Sequence, residues 1–272
     1  MASGKKSREK RRAASAPPPV QSKGSPRQRQ ASPRVLIGAG AVAAAIALVV
    51  VLVVVFTGGN SSSPPQGVPT VGSIAAGLPG SAEVASLFNG VPQQGMTLGS
   101  PAAKVTMIVY IDLQCPFCQQ FDTGVFPDIV KTYVKTGKVK VESRVLDFIG
   151  PDSSRGRKAM IAAGNQNRAF NFAQILYFNQ GTENTGWLND DMVASAAASI
   201  PGLNVPKLLS DRNSSAVAKT ASEFDADAVT DNVQSTPTIL VGRNGTKPKN
   251  VPLTSSTDKA TLVDALDTAL AG

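Results

Sequence analysis

Cys115-Pro116-Phe117-Cys118 holds the only two cysteines of a 272-residue chain that contains no histidine. Such a pair supports three chemistries: half of a zinc site, a covalent staple, or a dithiol that cycles with a disulfide. A tetrahedral zinc site would have to be completed by carboxylates or by a second chain, because this chain offers no further Cys or His. A staple across residues three apart closes a tiny loop and removes little chain entropy from the unfolded state. The redox reading has a physical reason for each position. Val105 to Ile111 reads Val-Thr-Met-Ile-Val-Tyr-Ile, the β-branched, apolar pattern of a buried strand. Cys118, Phe121, Val125, Ile129 and Tyr133 recur at three and four, the stripe of an amphipathic helix. The pair thus sits where a strand feeds a helix, and Pro116 suits a first helical turn, where a missing N–H costs nothing. Cys115 falls at the helix N-terminus, whose free N–H groups and dipole favour thiolate by about 0.3–1 and at most about 2 kcal/mol. Cys118, one turn further in, points at the core.

Residues 1–34 carry ten Lys or Arg against the single acid Glu9, and no composition that could bury a core, so they read as a disordered basic tail. The other 17 basic and 18 acidic residues nearly cancel, and the overall charge of +8 therefore says nothing of a nucleic-acid surface on the folded part. Residues 35–56 hold no charge over 22 positions, enough to cross a bilayer core, and the basic flank in front sets the N-terminus on the cytoplasmic side. A cleaved signal peptide fits less well, since the apolar run is long and its Thr57-Gly-Gly-Asn60 exit lacks an Ala-x-Ala-like site. Residues 57–81 are rich in Gly, Ser and Pro and read as a flexible linker with a reach of roughly 28 Å.

Residues 82–272 form the folded domain, opened by a short helix with Val84, Leu87 and Phe88. Pro127 is expected to kink the helix that follows the cysteines. Lys138 to Val145 alternates as a second strand, and about 151–231 is helical by pattern, with apolar groups at Phe170, Phe172, Ile175, Leu176, Phe178, Val217, Ala221, Phe224 and Ala228. Thr238 to Val241 is a further strand, Asn244-Gly245 a hairpin turn before a short strand near 250–253, and a closing helix from about Asp258 buries Leu262, Leu266 and Leu270.

Strand, Asp112-Leu-Gln-Cys-Pro-Phe-Cys118, helix, and the distant Ser235-Thr236-Pro237-Thr238 before a strand make a specific combination, and over roughly 82–272 it resembles the DsbA-like thiol–disulfide oxidoreductases. The resemblance implies an α/β thioredoxin fold with an inserted helical subdomain, here preceded by a single transmembrane helix. It implies Cys115 as nucleophile and Cys118 as resolving thiol, with Pro116 and Phe117 as the dipeptide between them. It further implies a cis Pro237 beside the dithiol, with the Thr236 backbone free to pair with substrate. Two positions depart from the family pattern. Strongly oxidising members carry histidine where Phe117 stands, and many carry a buried acid six residues before the first cysteine, where this chain has Val109. Asp112 is the nearest carboxylate and the candidate proton acceptor. The implied function is a membrane-anchored, extracytoplasmic oxidoreductase that introduces disulfides into exported cysteine-containing proteins. Its recycling partner would be a membrane protein of DsbB or vitamin K epoxide reductase type, with no metal, cofactor or nucleic acid called for. A reductase or isomerase, and a non-catalytic binding or chaperone module, are the alternatives.

Overall fold

The structure, a computed structural model, describes residues 67–272. The basic tail, the apolar run 35–56 and the linker up to residue 66 lie outside the described residues. Among the described residues no helix is long and apolar enough to cross a membrane.

In chain order the elements are α1 (Ser81–Phe88), β1 (Gln93–Gln94), β2 (Thr97–Leu98), β3 (Val105–Ile111), α2 (Pro116–Gln120), α3 (Phe126–Ile129), β4 (Val139–Val145), α4 (Pro151–Gly164), α5 (Ala169–Phe178), α6 (Asp190–Ala198), α7 (Val205–Asp211), α8 (Ser215–Thr230), β5 (Thr238–Arg243), β6 (Lys249–Asn250) and α9 (Lys259–Ala271). Six strands form one sheet in the order β1-β2-β4-β3-β5-β6. β3 is buried at every position because it is central: β4 pairs with it in parallel, β5 antiparallel. Its alternate side chains serve the two faces. Val105, Met107, Val109 and Ile111 join the large core under α2 and the helical insertion, whereas Ile108 and Tyr110 meet Leu240, Leu146 and Ala228 of α8 on the other face. The insertion runs from Pro151 to Thr230, so the fold is the thioredoxin-like α/β sheet with helices inserted between β4 and β5.

α8 is tied to the sheet by a polar clamp. Arg144 Nη1 donates to Tyr110 Oη at 2.7 Å and pairs with Asp231 Oδ2 at 3.2 Å, while Tyr110 Oη donates to the same oxygen at 2.7 Å. Arg144 Nε lies 3.3 Å from Asp227, and the guanidinium carbon stands 5.5 Å over the Tyr110 ring. The clamp fixes the end of α8 and hence the start of the Ser235–Pro237 loop.

Pro127 disturbs its helix through a widened turn, and three other expectations are corrected. A π-helical turn, Phe121–Val125, directly precedes α3, with the Phe126 N–H bonded back to the Phe121 carbonyl. The wider turn relieves the clash that a proline ring makes with the carbonyl four residues back. A second such turn, Val130–Val134, ends the helix. Asn244-Gly245 makes the expected turn, with the Thr246 N–H donating to Arg243 O (3.0 Å), but β6 is Lys249–Asn250 rather than 250–253, since Pro248 before it and Pro252 after it have no N–H to lengthen the ladder. Phe178 is 41% exposed at the end of α5 rather than part of its buried stripe.

The third correction concerns the linker, whose last stretch is not free. Gly72 N–H donates to Leu203 O (2.9 Å), Ser73 N–H to Ala198 O (2.7 Å) and Leu78 N–H to Ser199 Oγ (2.9 Å), while Val205 N–H donates to Thr70 O (3.0 Å). Any side chain at Gly72 would collide with the Ile200 carbonyl oxygen. The stretch is composed like a linker but docks by its backbone, which composition does not register.

Candidate active site

Cys115 is the N-cap of α2 and Pro116 its first residue, so the thiol stands where backbone N–H groups point outward. Cys115 is 5% exposed, Cys118 is fully buried, and both are free thiols. Across from them the Thr236–Pro237 bond is cis, and Cys115 Sγ donates to Thr236 O at 3.2 Å. The structure therefore brings Cys115, Cys118, Thr236 and Pro237 together, and Phe117 lies beside them, 59% exposed.

The two thiols have opposite chemistry. Cys115 is pulled down to about 6, mainly by a hydrogen bond from Cys118, against the opposing effect of burial, with further help from Thr236 and the N–H groups of Cys118 and Phe117. The helix terminus, to which sequence reasoning assigned the whole effect, is thus the smaller contributor. Cys118 is pushed well above the ordinary thiol range, by burial first and then by the hydrogen bond and charge at Cys115. The pair is asymmetric: one sulfur holds a thiolate near neutral pH, the other holds its proton.

Asp112, the proton acceptor expected from the sequence, is fully buried and its oxygens are occupied. Oδ1 accepts from Gln114 N–H (2.8 Å) and Ser153 Oγ (2.7 Å), and Oδ2 accepts from Ile149 N–H (3.1 Å). Burial raises its pKa, opposed by those three bonds. In this geometry the carboxyl anchors the segment before Cys115 to α4 and to the loop after β4.

Sequence reasoning missed the polar side chains that hold the loop from the insertion. Gln180 Nε2 donates to Leu113 O (3.0 Å) and Cys115 O (3.2 Å), Tyr177 Oη to Asp112 O (3.1 Å), and Gln119 Nε2 to Tyr177 O (2.9 Å). It also passed over Asp122, a buried acid one helical turn past Cys118. The spacing of four from Cys118 was a usable signal for Asp122; for Gln180 there was none, because only the fold brings it back. Among the described residues no cluster of three His, Cys, Asp or Glu could hold a metal ion.

A strand-fed helix N-terminus carrying an asymmetric dithiol, set against a Thr–cis-Pro loop and roofed by a helical insertion, is the arrangement of a DsbA-like thiol–disulfide oxidoreductase. The comparisons agree. A family model described as Thioredoxin matches residues 92–257, and the chain belongs to that family. The chain is 27% identical over 166 residues to "Probable disulfide bond formation protein D" of Bacillus cereus, covering 60% of this chain and 77% of that protein. It is 27% identical over 150 residues to disulfide bond formation protein D of Bacillus subtilis, covering 53% and 66%. In fold it is similar to oxidised BdbD of Bacillus subtilis, with TM-score 0.58 at 22% identity over 67% of this chain and 98% of that one. Wolbachia pipientis α-DsbA1 gives TM-score 0.56 at 19% identity over 68% and 96%.

Proposed function

We propose that this protein introduces disulfide bonds into exported cysteine-containing proteins through Cys115 and Cys118, held outside the cytoplasm by an anchor at 35–56. The observation that carries the reading is the asymmetry of the pair: a thiol of pKa about 6 at a helix N-terminus beside a buried thiol that keeps its proton. The relatives named for disulfide bond formation support the oxidising direction. A substrate thiolate attacks Cys115 Sγ of the disulfide form and Cys118 leaves; a second substrate thiolate then attacks the substrate sulfur of the mixed disulfide and expels Cys115. Cys115 leaves readily because its thiolate is stabilised. Thr236, beside Pro237, offers its backbone next to the sulfur, and exposed Phe117 (59%) gives apolar surface for an unfolded segment. Asp112 keeps the loop in register. Recycling of the reduced pair falls to a membrane partner of DsbB or vitamin K epoxide reductase type.

The test is the reduction potential of the pair together with trapping. An oxidant should sit above about −200 mV, and Cys118→Ala should accumulate mixed disulfides with envelope proteins far more than Cys115→Ala. A potential near about −270 mV, as in thioredoxin, would assign a reductase instead, and equal trapping by both variants would remove the division of labour.

A further inference from the structure

The connection between α5 and α6, residues 179–189, runs back against the segment that carries the first thiol. Gln180 spends its side-chain amide there: Nε2 donates to Leu113 O at 3.0 Å and to Cys115 O at 3.2 Å. A glutamine amide has two protons, one for each carbonyl, so a single side chain fixes the backbone at both ends of Leu113-Gln114-Cys115. The Cys115 carbonyl also accepts from Gln119 N–H at 3.1 Å, in the opening turn of α2. Gln180 therefore joins the insertion to the residue whose sulfur reacts and to the start of its helix. Tyr177 Oη reaches only Asp112 O, further back along the segment.

A side chain that positions another group must itself be held. On one side the Gln180 N–H lies 3.4 Å from Tyr177 O, and that carbonyl also takes Gln119 Nε2 at 2.9 Å. On the other, Asn184 N–H donates to Gln114 Oε1 at 2.9 Å, and Asn184 Nδ2 donates to Ile149 O at 3.2 Å. Gln114 Nε2 in turn donates to Ser153 Oγ of α4 at 3.0 Å. Gly150 leaves room for the Asn184 amide, since any side chain there would run into Asn184 Oδ1. The connection is thus latched both before and after Gln180.

We propose that Gln180 is a positioning residue of the dithiol: by gripping the backbone around Cys115 it holds the sulfur against the groups that support its thiolate. The inference rests on the thiol–disulfide reading above. Those groups are the Cys118 thiol first, then, against the opposing effect of burial, Thr236 and the N–H groups of Cys118 and Phe117. Each acts over a hydrogen-bond length, so its aim depends on where the Cys115 backbone stands. Gln180 is neutral at every pH and acts through the two carbonyls, not by charge. The titratable groups that share this compartment with Cys115 are Cys118 on α2, Asp112 ahead of it, Asp122 past it and Tyr177 on α5. All four stay in place when Gln180 is replaced. Cys115 O keeps its bond from Gln119 N–H, so the start of α2 is expected to survive as well.

The reduced full chain is alkylated with iodoacetamide across the pH range, and the label reports Cys115 because Cys118 is fully buried. The wild-type midpoint is expected at about 6. In Gln180→Met, similar in length but without the donor protons, it is expected to rise by about half to one unit, the order of one neutral hydrogen bond. Against a glutathione couple the variant's disulfide should then be about threefold to tenfold harder to reduce at about pH 8, which is about 15–30 mV. At about pH 5 the two proteins should agree, because both then carry the protonated thiol. An unchanged midpoint, or a difference in the equilibrium that is equal at both pH values, would make Gln180 a structural residue and overturn the inference. A second readout needs no variant: the side-chain amide resonances of Gln180 in the wild type should move with the Cys115 midpoint. Resonances that stay put overturn the inference whether or not Gln180→Met folds. A wild-type disulfide that does not exchange with glutathione overturns the redox reading, while the alkylation midpoints and the resonances still decide on Gln180.

Discussion

Residues 112–115, before the first thiol, and 118–122, after it, each bury an acid and differ in what surrounds it. The first segment is saturated: Asp112 takes three hydrogen bonds, and the carbonyls of Asp112, Leu113 and Cys115 each receive a side chain from the insertion. Around Asp122 in the second the walls, shared with Ser143, are mostly apolar, and one carboxyl oxygen and the Ser143 hydroxyl are left without a partner. Saturation holds a loop still, whereas an unsatisfied acid can change its charge at modest cost. The lesson is that a buried carboxyl near a reactive group is read from its hydrogen bonds before its distance.

The comparison is broken most severely by Asp112→Ala, which leaves two backbone N–H groups and the Ser153 hydroxyl without their acceptor. A loss of about 3–5 kcal/mol in urea unfolding is expected, buried donors costing about 1–3 kcal/mol each and not adding fully. A loss below about 1 kcal/mol would show that the bonds do not hold the loop. Next comes the pH dependence of Asp122. Its folded pKa, about 7, lies above the ordinary 3.8, so ionisation opposes folding. The penalty is absent well below pH 4, grows between about 4 and 7, and is complete above. Relative to Asp122→Asn, the wild type should lose about 2–3 kcal/mol of stability between pH 5 and pH 8, at 1.36 kcal/mol for each pH unit. Parallel stability curves for the two proteins would mean that the carboxyl is solvated. The smallest effect is expected for Ser143→Ala. A buried hydroxyl with no partner contributes little, so the variant should unfold within about 1 kcal/mol of the wild type and keep its pH slope.

The parts of the site carried by local pattern were legible in the sequence. β3 is an unbroken apolar run, α2 begins at a Pro after a Cys, and the Thr-Pro pair precedes a strand, so each could be placed before any coordinates. What was lost depends on contacts between distant segments. The depression of Cys115 comes chiefly from Cys118, and a hydrogen bond between two side chains is invisible to an argument about a helix terminus. Val109, where the resemblance expects an acid, and Asp122 line the same cavity, so the carboxyl reaches that space from the helix instead of the strand. Asp112, chosen for its closeness in sequence, is committed elsewhere. Pro127 signalled a disturbance of its helix, but whether the helix bends or widens is decided by the packing around it.

The docking of residues 70–78 on the insertion has a practical consequence for anyone cutting the chain. A fragment begun at Ser81, the boundary that composition recommends, would strip the backbone partners from Ala198, Leu203 and Val205 and bare the edge that Gly72 covers. That exposed edge would be an opening for proteases and for pairing with other chains, and a fragment begun at Gly67 would keep it closed.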